Sequence, residues 1–203
     1  MASMTTKKTI SKIYIHICPR IHRECSLPKQ VTSSSGGGKT NLLYRTLMAP
    51  MLFYDKLYLY AKNIEQSKHK HMIDNLTDVS KQVSYNVFHY NNGDIIPVDE
   101  MDTKSRKIAI FDGFICEKKI KKYKGWLDYF IRGRQKNCFV INLSFKGFYK
   151  TPKDIRLNCS HYAVYNFLIS NERNMISREL GVKKVNMLKR TKTRFHFYTL
   201  TNP

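Results

Sequence analysis

The chain has 203 residues, with 36 Lys and Arg against 15 Asp and Glu, a formal charge of +21 and a pI near 9.8. With 42% hydrophobic and 12% aromatic residues there is apolar material for a core of single-domain size, which excludes a disordered basic tail for most of the length. No apolar run approaches the length of a bilayer span, so the surplus charge points to a polyanionic partner, nucleic acid ahead of an anionic membrane.

The first residues are basic and Ser/Thr-rich, with no acid before Glu24, a composition compatible with a transit peptide. Arg is not enriched there, and the apolar stretch from Ile13 to Cys18 is short for a secretory signal. An untargeted intracellular chain is therefore expected. The cysteines Cys18, Cys25, Cys116, Cys138 and Cys159 are odd in number and several lie in apolar runs, as buried reduced thiols do. His16, Cys18, His22 and Cys25 crowd too closely for an ordinary zinc site.

From residue 39 onward, strand-like and helix-like runs alternate, the pattern of an α/β domain with a mainly parallel sheet. A helix is expected from Lys39 to Ala49, before Pro50. A strand follows at Lys56 to Ala61, a polar helix at Glu65 to Leu76 and a strand at Val83 to Tyr90. The loop holding Asp94, Asp99, Glu100 and Asp102 reads as exposed. Lys107 to Phe111 is a buried-type strand ending at Asp112. Lys118 to Arg132 is a helix with Trp126, Leu127, Phe130 and Ile131 as its apolar stripe, closed by Gly133 as a left-handed cap.

Cys138 to Leu143 is again buried-type strand. Thr151, Pro152 and Asp154 signal a helix opening with Thr151 as its cap. His161 to Tyr165 reads as strand, Glu172 to Leu180 as a helix closed by Gly181, and Phe195 to Leu200 as a last strand.

Ser33 to Thr40 reads SSSGGGKT and runs into the helix. Glycines let backbone N–H groups converge on phosphate oxygens, the helix dipole adds to them, Lys39 reaches the outer phosphates and Thr40 offers a hydroxyl to Mg²⁺. The nucleotide contacts so expected are Ser35, Gly36, Gly37, Gly38, Lys39, Thr40 and Asn41, with a flexible Ser/Gly linker as the alternative. Ser33 stands where the strict phosphate-loop pattern has glycine. Upstream, Ser26 to Thr32 is weak as a strand, and the better strand, Ile13 to Cys18, ends well before the loop. Asp112, 73 residues after Lys39, sits at a strand end where an acid can hold the Mg²⁺ water shell. His69 and His71, flanked by Lys68 and Lys70, read as solvated, and Cys138 and Cys159 as buried thiols.

The strings YDKLYLYAKN (Tyr54 to Asn63), IFDGF (Ile110 to Phe114), DYFIRGRQKNC (Asp128 to Cys138), FYKTPKDIRLNCSH (Phe148 to His161) and SNERNMISRELG (Ser170 to Gly181), with the loop at Lys39, closely resemble the genome-packaging ATPases of large DNA viruses, virophages and Polinton/Maverick elements. These belong to the FtsK/HerA branch of RecA-like P-loop ATPases. The resemblance runs from about Ser33 to Leu200 and implies a domain over residues 31–203 preceded by an atypical basic segment, residues 1–30. It implies a ring-forming homo-oligomer that hydrolyses ATP with Mg²⁺ and drives double-stranded DNA into a capsid, with a capsid protein as further partner and no membrane. The location implied is host cytoplasm, nucleus or virion.

By the same resemblance Gly38, Lys39 and Thr40 contact phosphate and Mg²⁺, and Asp112 coordinates the metal. Arg132 and Arg134 are candidates for an arginine finger reaching a neighbouring subunit, the alternative being a solvated, DNA-facing helix end. Two departures bear on hydrolysis. Gly113 replaces the usual second acid, and Phe145 follows Leu143-Ser144 where the family has a γ-phosphate-sensing Gln. General-base assistance is typically worth about 10² to 10⁴ in rate, so nucleotide binding can survive where turnover is lost. Glu117 is a candidate substitute. The basic runs Glu117 to Lys136 and Lys183 to Arg194 would grip DNA phosphates without reading sequence.

Overall fold

Strands buried on both faces of a parallel sheet are nearly continuous apolar runs, and this chain has them at its centre. The computed structural model describes residues 29–32, 37–47, 54–61, 69–71, 73–74, 84–89, 95–113, 120–144, 148–165, 170–181 and 197–201. The strands are β1 (Lys29–Thr32), β2 (Lys56–Ala61), β3 (Ser84–His89), β4 (Lys107–Asp112), β5 (Cys138–Ser144), β6 (His161–Tyr165) and β7 (Phe197–Thr201). They form one sheet in the order β3-β2-β4-β5-β1-β6-β7, parallel throughout except for the antiparallel β6/β7 pair. Every residue of β5 is buried.

Alternation along the strands divides the core in two. Val31, Leu57, Leu59, Ile108, Ile110, Phe139, Ile141 and Leu143 point to one face, where helix α1 (Lys39–Leu47) covers them with Leu43 and Leu47. Tyr58, Tyr60, Ala109, Phe111, Val140, Tyr162 and Val164 point to the other. That face carries α2 (Ile120–Arg132), α3 (Lys153–Leu157) and α4 (Ser170–Glu179), through Trp126, Tyr129, Phe130, Ile155 and Ile176. At its centre the Phe111 ring lies 4.9 Å from Tyr60, 5.2 Å from Tyr129 and 6.3 Å from Trp126.

Several expectations shift. The strand leading to the glycine loop is Lys29–Thr32 itself, which begins just before the expected domain start. It is polar in sequence, yet Gln30 and Thr32 are fully buried between β5 and β6. The Gln30 amide donates to Thr151 Oγ1 at 3.1 Å, so Thr151 serves the sheet instead of capping α3, whose N-cap is Pro152. On α2, Ile131 is 51% exposed and Tyr129 is buried in its place, because the Tyr129 hydroxyl bonds Ile96 O and Tyr60. Gly133 opens a 3₁₀ turn without a positive φ. A Cβ there would sit 3.2 Å from Val140 Cγ2, and the left-handed residue is Asn137. Gly181 does follow α4 with a φ of 64°. Residues 13–18, 22 and 25 lie outside the described residues, as does Asp94.

The acidic loop is exposed only in part. Ile95, Val98 and Met101 anchor it in the core. Asp102 receives Lys56 Nζ at 2.8 Å, and the buried Lys107 ammonium donates to the carbonyls of Asp102, Ser105 and Lys136. These contacts tie together the amino-terminal ends of β2, β4 and β5. No helix among the described residues is long and apolar enough to cross a membrane, and Cys138 and Cys159 are buried free thiols.

Replacing Phe111 by Ala should cost about 3 to 5 kcal/mol in urea unfolding, whereas Ile131→Ser should fall within roughly 0.5 kcal/mol of the parent.

Candidate functional site

Ligands of open parallel sheets bind beyond the carboxyl ends of the strands, and the chemistry-bearing residues of this chain gather there. β1 ends at Thr32, one loop before α1. The Leu42 N–H donates to Gly38 O at 2.9 Å, making Gly38 the carbonyl that opens the helix. Gly38 has a φ of 97°, a conformation costly for any residue with a Cβ, so glycine is required immediately before Lys39. Lys39 is the first residue of α1 and only 8% exposed, Thr40 is half-buried and Asn41 is exposed. Burial pushes the Lys39 ammonium down to about 8, against the opposing pull of Asp112. Ser33, Ser35 and Gly36 lie outside the described residues, while Gly37 and Gly38 are half-buried.

Asp112 closes β4. In the sheet β5 stands between β4 and β1, with Leu143 level with Asp112 and Ser144 level with Thr32. At about 4.8 Å per strand, the backbones bearing the loop and the acid are roughly 10 Å apart, a gap that Lys39 and a hydrated ion can span. The chain turns at once after Asp112. Gly113 has a φ of 70°, and its N–H donates to Leu143 O at 3.2 Å. The missing second acid therefore coincides with a backbone conformation that disfavours a side chain.

One further residue joins the site. His69 Nε2 lies 2.8 Å from Asp112 Oδ2, and His69 is 2% exposed. The expectation of a solvated His69 fails because its helical segment folds back over the end of β4, leaving Lys70 and His71 exposed. Lysines on either side hid this in the sequence. The spacing does carry one hint, since residue 69 belongs to the β2-to-β3 connection, and β2 lies beside β4 with Ala61 level with Asp112.

Arg132 and Arg134 are at the other end of the sheet, beside the start of β5. Arg132 Nη1 contacts both oxygens of Asp99, at 2.7 and 2.9 Å, and Nη2 contacts Asp128 at 3.1 Å. Arg134 is exposed in the 3₁₀ turn Gly133–Lys136. The strand rise puts this turn about 17 Å or more from Asp112, out of reach of the chain's own phosphate loop. Phe145 and Glu117 lie outside the described residues. The turn Phe148–Lys150 just beyond Phe145 is held by Glu172, whose Oε2 accepts the Phe148 N–H at 2.9 Å, and burial raises that carboxyl's pKa.

This architecture has solved counterparts. The genome packaging NTPase B204 of Sulfolobus turreted icosahedral virus 2, in complex with ATP-gammaS, superposes with a TM-score of 0.60 at 13% identity, covering 87% of this chain and 93% of B204. The chain shares the B204 fold. B204 of Sulfolobus turreted icosahedral virus, described as its DNA-packaging ATPase, gives 0.59 at 15% identity over 87% and 93% of the two chains. The AMP complex of the first B204 gives 0.58 at 13% identity over 87% and 92%. In sequence, no family model and no curated protein matches. At such identities the B204 likeness shows the shared α/β fold, and any reading of residue roles is drawn from this chain's own geometry.

That geometry fits a nucleotide phosphate with Mg²⁺. The helix start, the Gly38 elbow and the buried Lys39 supply what a phosphate needs. Thr32 Oγ1, at the root of the loop, is a buried polar atom with no hydrogen-bond partner among the described residues. No group of three or more His, Cys, Asp and Glu able to hold a metal occurs among those residues. Mg²⁺ is ordinarily held by one or two protein groups together with substrate phosphates, and Thr40 and Asp112 are the groups that would hold it here.

The folded Lys39 pKa of about 8, against 10.5 ordinarily, means that the unfolded chain binds more protons between these values. The charged lysine thus weakens the nucleotide-free fold below pH 8, and the penalty disappears towards pH 10.5. Lys39→Met should raise the melting temperature by a few degrees at pH 7, with the gain shrinking on titration to pH 10.

Proposed function

We propose that this chain is the ATPase of a DNA-packaging motor, binding ATP with Mg²⁺ and hydrolysing it to move double-stranded DNA. The observation that carries the reading is the convergence of Gly38, Lys39 and Asp112 at the carboxyl edge of a packaging-NTPase fold, with Lys39 and Asp112 electrostatically coupled. Gly37, Gly38, Lys39, Thr40 and Asn41, with Ser35 and Gly36 of the same loop, would hold the phosphates; Thr40 and Asp112 would hold the ion. Mg²⁺ supplies neutralisation of phosphate charge when bound.

Of the two finger candidates the contacts favour Arg134, because Arg132 is committed to Asp99 and Asp128. Such a finger acts in trans, so this role implies an oligomeric ring of the FtsK/HerA kind. The charge of +21 and the basic runs support sequence-tolerant DNA contact. A capsid protein as partner, and an intracellular or virion setting, follow from the packaging role.

A second reading is favoured by Gly113: a hydrolysis-deficient relative serving as a basic DNA-binding or assembly factor. Its backbone conformation makes a simple return of the acid expensive, by on the order of 1 kcal/mol or more.

ATP turnover with and without duplex DNA separates the two. The motor reading expects DNA-stimulated turnover that falls at least about 100-fold in Lys39→Ala, and a drop in turnover with ATP binding retained in Arg134→Ala. Nucleotide and DNA binding without turnover supports the second reading, under which Gly113→Glu combined with Phe145→Gln should raise activity. In either case DNA affinity should fall steeply and log-linearly with salt, checked by fluorescence anisotropy on unrelated duplexes.

A further inference from the structure

A carboxylate that holds a metal ion by one oxygen needs its other oxygen restrained, or the ion inherits the freedom of the side chain. Asp112 is the last residue of β4, and the chain leaves it through Gly113, which offers no side chain to brace it. The restraint comes from elsewhere. His69 Nε2 meets Asp112 Oδ2 at 2.8 Å, and a carboxylate at this distance is served by the tautomer that carries its proton on Nε2.

The histidine is itself fixed. Two residues on, the His71 ring stacks on Tyr44 of α1, with centroids 6.4 Å apart and planes 18° from parallel. Ile73 packs into the α1-side core together with Leu42 and Tyr44. The segment is thereby clamped to the helix that begins at Lys39, so the groups facing the phosphates and the metal are braced by one body.

We propose that His69 is a positioning residue for Asp112, holding Oδ2 so that the remaining oxygen faces the metal edge of the site. It takes over the orientation of the acid where residue 113 contributes nothing. This rests on the nucleotide reading given above, and its consequence is specific: His69 governs metal affinity in the nucleotide complex and leaves metal-free nucleotide affinity alone.

The test uses the full chain, with ADP as nucleotide and Mn²⁺ as a spin probe for the Mg²⁺ position. His69→Phe keeps a ring without the donor, and His69→Gln keeps an amide N–H near the Nε2 position. His69→Phe should weaken Mn²⁺ binding in the ADP complex about 10-fold or more while ADP affinity without metal stays within about twofold, and His69→Gln should recover most of the loss. Should His69→Phe not fold, the wild-type protein decides: the ¹⁵N resonances of His69 should move on adding Mg²⁺ to the ADP complex, and stay in place with ADP alone. Unchanged Mn²⁺ affinity in His69→Phe, no recovery in His69→Gln, or an unmoved imidazole signal overturns the inference while leaving the nucleotide reading intact. A wild-type chain that binds neither ADP nor Mn²⁺ with ADP overturns both.

Discussion

Strand β5, buried from Cys138 to Ser144, is the spacer on which the rest of the site depends. By lying between β1 and β4 it sets the loop and Asp112 two strands apart, with Ser144 level with Thr32 and Leu143 level with Asp112. The apolar requirement of a doubly covered strand thus becomes a dimension of the site. Asn142 complicates it, since both of its side-chain polar atoms are buried without a partner among the described residues, beside Gln30 and Phe111 in the sheet.

The two ends of the sheet are built by different physics. At the amino ends, charge is used to tie: Lys107, Asp102, Lys56, Arg132 and Asp99 are all paired, and the exposed pairs, Lys56–Asp102 and Arg132–Asp99, contribute modestly one by one. At the carboxyl ends Lys39 and Asp112 are held largely out of water, with His69 buried beside the acid. The first arrangement holds strands in register. The second stores an unfavourable desolvation that a phosphate can relieve.

Much of this was legible in the residues. Continuous apolar runs marked β4 and β5, and the glycine loop with Lys39 and Thr40 marked one half of the site, because both depend on local composition. β1 was obscure, since KQVT has no apolar pattern and is a strand only because β5 and β6 enclose it and Thr151 meets Gln30. Tyr129 was missed for a related reason, its burial depending on a hydroxyl partner 33 residues away. His69 was misread because its lysine-rich neighbourhood suggests water, and Lys70 and His71 are indeed exposed, whereas the side of His69 itself is decided by Asp112, 43 residues on.

The burial of Lys39 also makes it a distinctive amine. Burial lowers the pKa of its ammonium to about 8, so it gives up its proton more readily than a lysine of ordinary pKa 10.5. An uncharged amine is a nucleophile, and this one stands at a helix start that attracts anions. A phosphate-bearing aldehyde or acylating reagent would therefore be drawn to Lys39 in preference to exposed lysines such as Lys70 and Lys104, which would give the glycine loop a chemical address.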